Sequence, residues 1–418
     1  MSKASAPAAS LRKTLSLPQI VALYIGAVIG SGVLLIPGLA AEMAGPASII
    51  AWVVMSLLVI PMAVTMGLLS ASHPNAGGVS HFVRLAYGDR FGDLVGWFFL
   101  LSVPIGAPIL AVTGAHYVAV LFSLGEWQVY GIAALILLAV LIMNRFGLHV
   151  AGKVQTVVVS LILAILLLAI AAGLPHVSSS NFTPFAPNGW ISVIQTAGLL
   201  FWCFIGWEAV THLSEEFVDP KKNAIRGVLW SAGLVALLYF GIAFVTVGTH
   251  SYGKGITEAS LSIMVQLSLG HAGGWIVAIT ALFICIATAN AYVSAASRIA
   301  YALAKEGSAP RWFGKLDPKR QTPVGGLAFL TLCFAIVLSV LASGVITLAE
   351  LIQFPNATFF ATYIGGCFAG VRLLKDSLTG RTAAWISLIV TLLLYPFLGW
   401  SALYPFAITA LYMLWKRR

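Results

Sequence analysis

The sequence predicts an all-α integral membrane protein with about twelve transmembrane helices. Of its 418 residues, 60% are hydrophobic and 9% are charged, whereas soluble domains carry about 25% charged residues. Many apolar stretches are long enough to cross a hydrocarbon core, which takes roughly 20 residues. The basic residues fall on alternate connecting segments, as they do in multi-pass membrane proteins.

Short polar segments separate the candidate spans. The seventh span shows the pattern, because Leu229 to Val247 contains no charged residue. The last two spans are the hardest to separate, since Tyr395-Pro396 and Gly399 leave only a short turn between them. The predicted spans are residues 18–41, 47–71, 91–122, 128–144, 151–173, 190–213, 227–249, 273–303, 324–344, 347–371, 381–397 and 399–415.

The distribution of charge predicts the orientation. With the N-terminus inside, 22 of the 23 Lys and Arg residues lie on inside segments, and Lys254 alone lies outside. This asymmetry predicts an even number of spans with both termini in the cytoplasm. The net charge of +10 therefore reflects topology, and the scattered basic residues argue against binding of nucleic acid.

Several classes of protein are disfavoured. No long polar segment interrupts the spans, so we expect no soluble domain and hence no nucleotide-binding domain of an ATP-driven pump. Any driving force would then come from a gradient. We expect no metal ion or other cofactor, because the four cysteines lie inside predicted spans without metal-ligand spacing and resemble small packing residues. They are Cys203, Cys285, Cys333 and Cys367.

Two spans contain signals for a broken helix. The first span carries Gly26, Gly30 and Gly32 near its middle, and the sixth carries Gly206 beside Glu208. Glycine destabilises a helix by about 1 kcal/mol relative to alanine and permits other backbone conformations. Interrupted helices at matching places in two halves are typical of the midplane site of a transporter. The alternative is that these glycines only allow tight helix packing.

The matching positions of the two breaks predict a repeat of five spans. On this interpretation, residues 1–17 are a cytoplasmic tail, 18–173 are the first repeat with spans 1 to 5, and 190–371 are the second repeat with spans 6 to 10. Residues 381–415 add the last two spans.

The break in the first span suggests a chemistry for the site. A half-helix that begins near Gly32 would direct free backbone N–H groups and a positive dipole end at the cavity. These groups suit a carboxylate, and the Ser31 hydroxyl is a further donor. The half-helices that end at the breaks leave free carbonyls, which suit an ammonium group. A zwitterionic amino acid carries both groups.

Glu208 is the one acidic residue that lies more than three residues inside a predicted span, since Asp93 and Glu350 lie at the starts of theirs. An intramembrane carboxylate is costly and points to function. Two roles are open for it: a proton carrier, or a structural link that accepts hydrogen bonds from the unwound backbone of the first span. His212 follows at i+4 on the same face and would either relay protons or lie solvated near the cytoplasmic end.

Four segments together resemble the amino acid–polyamine–organocation transporters, and the resemblance covers spans 1 to 10. The closer match is to bacterial methionine and branched-chain amino-acid exporters, through residues 76–81, 201–204 and 208–213. The four segments are Ile29–Val33 with Pro37-Gly38, Pro74–Val79, Phe204–Glu208, and Ser297–Gly307.

The resemblance implies a five-plus-five inverted repeat (LeuT-like) and a substrate site between the two breaks. It implies that the first break holds the substrate carboxylate, that the sixth holds the ammonium group, and that an aromatic residue of span 8 packs over the substrate. The corresponding residues are Ile29, Gly30, Ser31 and Gly32 for the first break, Trp202, Cys203, Ile205 and Gly206 for the sixth, and Tyr292 for span 8. Residues for gating or proton coupling would be Trp207, Glu208 and His212.

One departure from the family concerns coupling. Many proton-dependent members have a lysine in the middle of span 5, where this chain has Ile162. The coupling ion is therefore open. The resemblance implies a secondary transporter in the bacterial inner (plasma) membrane that exports neutral, apolar L-amino acids such as methionine, leucine, isoleucine and valine by alternating access. Its partners would be the amino acid, the bilayer and in one alternative protons, and the protein would be a monomer or a homodimer.

Three other functions stay open at this point. Proton-coupled uptake or exchange is the nearest alternative, because direction depends on coupling and not on fold. A channel would favour rings of repeated charges or carbonyls from several subunits. An integral-membrane enzyme would need clustered His, Asp or Glu side chains at one depth of the membrane.

Overall fold

The computed structural model describes residues 15–30, 32–75, 77–146, 152–211, 214, 217–253, 257, 260–320 and 322–416, without the side chains of 152–158 and 268. Helices account for most of this part of the chain, and no strand occurs in it. The α-helices are α1 Leu17–Val28, α2 Gly32–Ala44, α3 Ser48–Ser72, α4 Gly78–Tyr87, α5 Asp89–Phe122, α6 Glu126–Arg145, α7 Gly152–Gly173, α8 Gly189–Leu200, α9 Trp207–Thr211, α10 Pro220–Gly248, α11 Ser260–Lys305, α12 Val324–Ala342, α13 Leu348–Leu373, α14 Leu378–Leu394 and α15 Tyr404–Lys416.

The helices confirm the all-α membrane class. Within the described residues, nine helical stretches are long and apolar enough to span a bilayer. Three of them are more than twice the length of the shortest, namely Gly32–Ser72, Leu269–Lys305 and Leu378–Lys416. The count of twelve spans and the five-plus-five repeat stay predictions. The predicted eighth span begins at 273, whereas α11 begins at Ser260 and contains a non-helical residue, Gly270.

Helix α5 lies at the centre of the bundle. Of its most apolar window, 83% is buried, against 28% for α6 and 33% for α12. Its two internal prolines, Pro104 and Pro108, are accommodated within one continuous helix. The exposed apolar faces of α6 and α12 are those that would face lipid.

One end of the bundle holds a network of charges. Asp93 of α5 is buried, and its carboxylate accepts hydrogen bonds from Arg84 (3.0 Å), Ser308 (2.6 Å) and Lys416 (2.8 Å). Arg84 also pairs with Glu306 at 2.8 Å. These ion pairs bring α4, the start of α5, the end of α11 and the end of α15 together, as expected if all four lie on the predicted inside.

A backbone contact joins the start of the first span to the segment after the sixth. Leu15 and Phe217 form an isolated parallel β-bridge, in which the Val218 N–H donates to the Leu15 carbonyl at 2.9 Å. Leu15 and Phe217 are both buried. The entry to α1 is therefore attached to the chain that follows α9.

Candidate functional site

The first span is broken where the sequence predicts. Helix α1 ends at Val28, Ile29 leaves helical geometry with ψ of 82°, and α2 begins at Gly32. The Ile29 N–H still donates to the Ile25 carbonyl at 2.7 Å. The last carbonyls of α1 and the first N–H groups of α2 have no partners within their own helices, and the Val28 carbonyl accepts from the Gly30 N–H at 3.0 Å. Ser31 lies outside the described residues.

The sixth span is also broken. Helix α8 ends at Leu200, a 3₁₀ turn covers Phe201–Phe204, and Ile205 is extended with φ −76° and ψ 145°. Gly206 has φ of +131°, a region that residues with a Cβ rarely adopt. Helix α9 begins immediately afterwards at Trp207. Glycine is therefore required at 206 for the chain to resume a helix at that point.

The two breaks touch each other through their glycines. A Cβ on Gly206 would lie 2.6 Å from the Ala27 carbonyl oxygen, and one on Gly32 would lie 2.8 Å from Cys203 Sγ and 3.0 Å from Cys203 Cα. Backbone of the first span thus packs directly on backbone of the sixth. The missing side chains at these two positions permit the contact.

A tyrosine of α10 lies between the breaks. The Tyr239 hydroxyl is 3.0 Å from the Val28 carbonyl and 2.9 Å from the Cys203 carbonyl, so it can donate to either one. Its side chain is fully buried. The predictions from sequence did not include this residue, which contacts both broken helices.

Glu208 is buried and is bound on one oxygen. Its Oε2 accepts hydrogen bonds from the Gly206 N–H (2.9 Å) and from the Tyr363 hydroxyl of α13 (2.5 Å). Its Oε1 has no hydrogen-bond partner within the described part of the chain. The carboxylate therefore accepts a hydrogen bond at the break of the sixth span itself, and a link to the unwound backbone of the first span stays a prediction. Tyr363, the partner of Oε2 in α13, connects the sixth span to the tenth predicted span.

A small cavity of about 40 Å³ adjoins the two breaks. A water molecule needs about 10–15 Å³ on this measure, so an amino acid would enter only if the lining residues move. Among the described residues, the lining contains hydroxyl groups and aromatic rings but no charged side chain. It consists of Ala27, Val28, Gly30, Gly32, Ser102, Val103, Gly106, Ala107, Leu110, Trp202, Ile205, Thr288, Tyr292 and Phe359.

Five of the nine predicted binding residues line this cavity. Those at its wall are Gly30, Gly32, Trp202, Ile205 and Tyr292. The predicted residues that do not line it are buried around the breaks, and they are Ile29, Cys203, Gly206, Trp207 and Glu208. His212, like Ser31, lies outside the described residues. The assignment of all these residues to binding or gating stays a prediction.

Sequence reasoning missed the contribution of α5 and α13 to the wall. Ser102 and Gly106 come from α5, and Phe359 comes from α13. Phe359 lies 6.1 Å from Tyr292 between ring centroids, and Phe99 of α5 stacks on Tyr292 at 6.0 Å. Gly106, which lies between two prolines of span 3, was a usable signal for the contribution of α5, because a glycine allows a neighbouring ring to approach. Trp202 Cη2 lies 3.4 Å from a Cβ built on Gly106.

Comparison with known proteins decides the family. The family model described as amino acid permease matches residues 15–412. The chain belongs to the amino acid permease family. This permease is 38% identical to the uncharacterized amino acid permease YecA of Bacillus subtilis, over 96% of this chain and 94% of that protein.

Two further relatives are named by substrate. The permease is 30% identical to the L-methionine/branched-chain amino acid exporter YjeH of Escherichia coli, over 98% of this chain and 97% of that protein. It is 25% identical to the branched-chain amino acid permease BcaP of Bacillus subtilis, over 85% and 79%. These relatives are transporters and not enzymes. The permease is accordingly a multi-pass membrane transporter whose substrates are amino acids.

The close approach of Gly32 to Cys203 leads to a prediction. We expect Gly32→Leu to lower transport at least about tenfold, because each 1.4 kcal/mol is a factor of ten and a Cβ here meets both the side chain and the backbone of Cys203. Initial rates of labelled leucine transport in proteoliposomes measure the effect. Gly131→Leu is the control, since Gly131 has open space around it. Normal leucine transport by Gly32→Leu would contradict a role for this break in binding.

Proposed function

We propose that this permease exports neutral, apolar L-amino acids, with methionine, leucine, isoleucine and valine as substrates, by alternating access across the bacterial inner membrane. The observation that carries the proposal is the lining of the cavity, whose described residues form aromatic and aliphatic walls without a charged side chain. A charged substrate side chain would have no counter-charge there and would be costly to bury. An apolar side chain would gain contact area.

The two breaks would bind the backbone groups of the amino acid. The N-terminus of α2 at Gly32 favours the substrate carboxylate, because its N–H groups and dipole are positive. The carbonyls that end α1 and the 3₁₀ turn favour the ammonium group. Tyr239 would hold the two sets of carbonyls at a constant separation. The name of the relative YjeH supports both the substrate class and the direction of transport.

Uptake is a second candidate, because the relative BcaP is named a permease. A direction assay separates the two. Cells that overproduce the protein are given a leucine-containing dipeptide, and leucine is measured in the medium. We expect faster release of leucine than from cells with the vector alone. Accumulation of external labelled leucine without faster release would contradict export and favour uptake.

Specificity is tested on the purified protein reconstituted in vesicles loaded with labelled leucine. We expect unlabelled methionine, isoleucine and valine on the outside to change leucine flux, whereas arginine and glutamate leave it unchanged. An equal effect of arginine would contradict the argument from the uncharged cavity.

Glu208 provides a test of proton coupling. We expect Glu208→Gln to fold and to bind leucine, because the amide oxygen can still accept hydrogen bonds from Gly206 and Tyr363. The variant should lose the pH dependence of transport between about pH 5 and pH 8, since the amide does not titrate. Glu42→Gln is the control, because Glu42 contacts Thr257 away from the breaks. If Glu208→Gln follows the wild-type pH profile, a protonation role is excluded and a structural link remains.

A further inference from the structure

A large apolar groove lies on the outer surface of the bundle, between α4, α5, α13, α14 and α15. Its volume is about 500 Å³, more than ten times that of the cavity at the breaks, and the two share no lining residue. It opens towards the surroundings, because Phe91 and Phe406 in its wall are 58% and 63% exposed. Other wall residues include Phe98, Ala361, Phe368 and Leu392.

The chemistry of the groove suits a hydrocarbon chain. Its walls are aromatic and aliphatic, and Tyr87, Tyr395 and Thr409 supply the few hydroxyl groups. The Tyr87 hydroxyl already donates to the Phe368 carbonyl at 3.1 Å, and the Tyr395 hydroxyl donates to the Ala402 carbonyl at 2.6 Å. Polar ligands would therefore find few open hydrogen-bond donors, whereas an acyl chain needs none.

One end of the groove is positively charged. Ile364 and Phe368 line the groove, and Arg372 follows Phe368 by one turn on the same face of α13. The Arg372 guanidinium lies 5.3 Å from the centroid of the Tyr87 ring. Arg90 precedes Phe91 at the start of α5. Both arginines are exposed.

Neither arginine is neutralised within the described part of the chain. Five ion pairs occur there, and none includes Arg90 or Arg372. Arg84, in contrast, is paired with Asp89, Asp93 and Glu306. The charge at the end of the groove is thus available to an external anion. Basic pockets between membrane helices on the cytoplasmic side bind anionic lipid headgroups. The charge distribution of the sequence places this end of the groove on that side.

We propose that the groove binds one anionic phospholipid, with an acyl chain along the walls of α5, α13 and α15 and the phosphate beside Arg372 and Arg90. The bound lipid would fill the gap between α4 and the last two helices. It would therefore stabilise the packing of α14 and α15 on the rest of the bundle, without contact to the amino-acid cavity.

Native mass spectrometry of the full-length protein tests the proposal. The delipidated protein is titrated with phosphatidylglycerol and, in parallel, with phosphatidylcholine of the same acyl chains. We expect one phosphatidylglycerol retained per chain, in preference to phosphatidylcholine. Arg372→Gln should lower this preference about fivefold, the effect of one cation near an anionic lipid surface. Ala361→Phe, which fills the groove, should lower the retention of both lipids.

Two matched variants serve as controls. Arg226→Gln removes an exposed arginine of α10, and Ala134→Phe adds a ring to the exposed face of α6. Neither position lines the groove. Both variants should therefore retain lipid as the wild type does. Equal retention of the two lipids, or no change in Arg372→Gln, would overturn the proposal. If the wild type retains no lipid but forms a dimer, and Ala361→Phe dissociates that dimer, then a second copy of the chain occupies the groove. This result would also overturn the proposal.

Discussion

Replacement of Gly206 by alanine is expected to abolish transport. The residue has φ of +131°, and non-glycine residues in such regions cost about 1–3 kcal/mol. The added Cβ would also lie 2.6 Å from the Ala27 carbonyl oxygen and 2.9 Å from the Val28 backbone nitrogen. Since these are backbone atoms of the first span, the clash can be relieved only by separating the two breaks. Labelled leucine flux in proteoliposomes measures the loss.

The control for Gly206→Ala is Gly233→Ala. Gly233 lies on the exposed side of α10 with no atom within 4 Å of a built Cβ, and alanine is favoured over glycine in a helix by about 1 kcal/mol. This variant should transport normally and melt at the same or a higher temperature. Transport by Gly206→Ala within a factor of two of wild type would show that the breaks are not held together in the working protein.

Replacement of Tyr239 by phenylalanine is the second change with a large expected effect. The variant keeps the ring, which packs edge-on against Trp52 and Phe204, but it removes the hydroxyl between the Val28 and Cys203 carbonyls. In membrane proteins one such hydrogen bond contributes about 0.6 kcal/mol on average and at most about 1.7 kcal/mol. We expect a small loss of thermal stability together with a fall in transport of about tenfold, because the carbonyls at the two breaks lose the donor between them.

Tyr404→Phe separates these two effects. The Tyr404 hydroxyl donates to the Leu101 carbonyl at 3.1 Å, which is not part of a broken helix. This variant should lose similar stability and keep its transport rate. If Tyr239→Phe and Tyr404→Phe behave alike in both measurements, the hydroxyl of Tyr239 has no special part in the site.

The membrane class and the places of the breaks could be predicted from sequence because both depend on local properties. An apolar run must be long enough to cross a bilayer, and a glycine such as Gly206 permits an unwound backbone regardless of what lies elsewhere in the chain. The sequence therefore indicated the positions at which α1 ends, α2 begins and α9 begins.

The contacts that support the breaks could not be predicted in the same way. Tyr363 is 155 residues from Glu208, and Tyr239 is 36 residues from Cys203. Nothing in a single sequence pairs a given tyrosine with a given carbonyl, because the pairing depends on how the helices pack. The same reason explains why Phe359 was not expected in the wall of the cavity. The sequence also could not show that Glu208 supports its own span.

The bridge between Leu15 and Phe217 has a mechanical consequence. The entry to α1 is attached beside Phe217, and further into the membrane the end of α1 is in backbone contact with Gly206. Because α1 has contacts at both of its ends, we expect it to move together with α9 during transport. We therefore expect a disulfide between cysteines introduced at positions 15 and 217 to leave transport intact, whereas a crosslink from α1 to the central helix α5 would stop it.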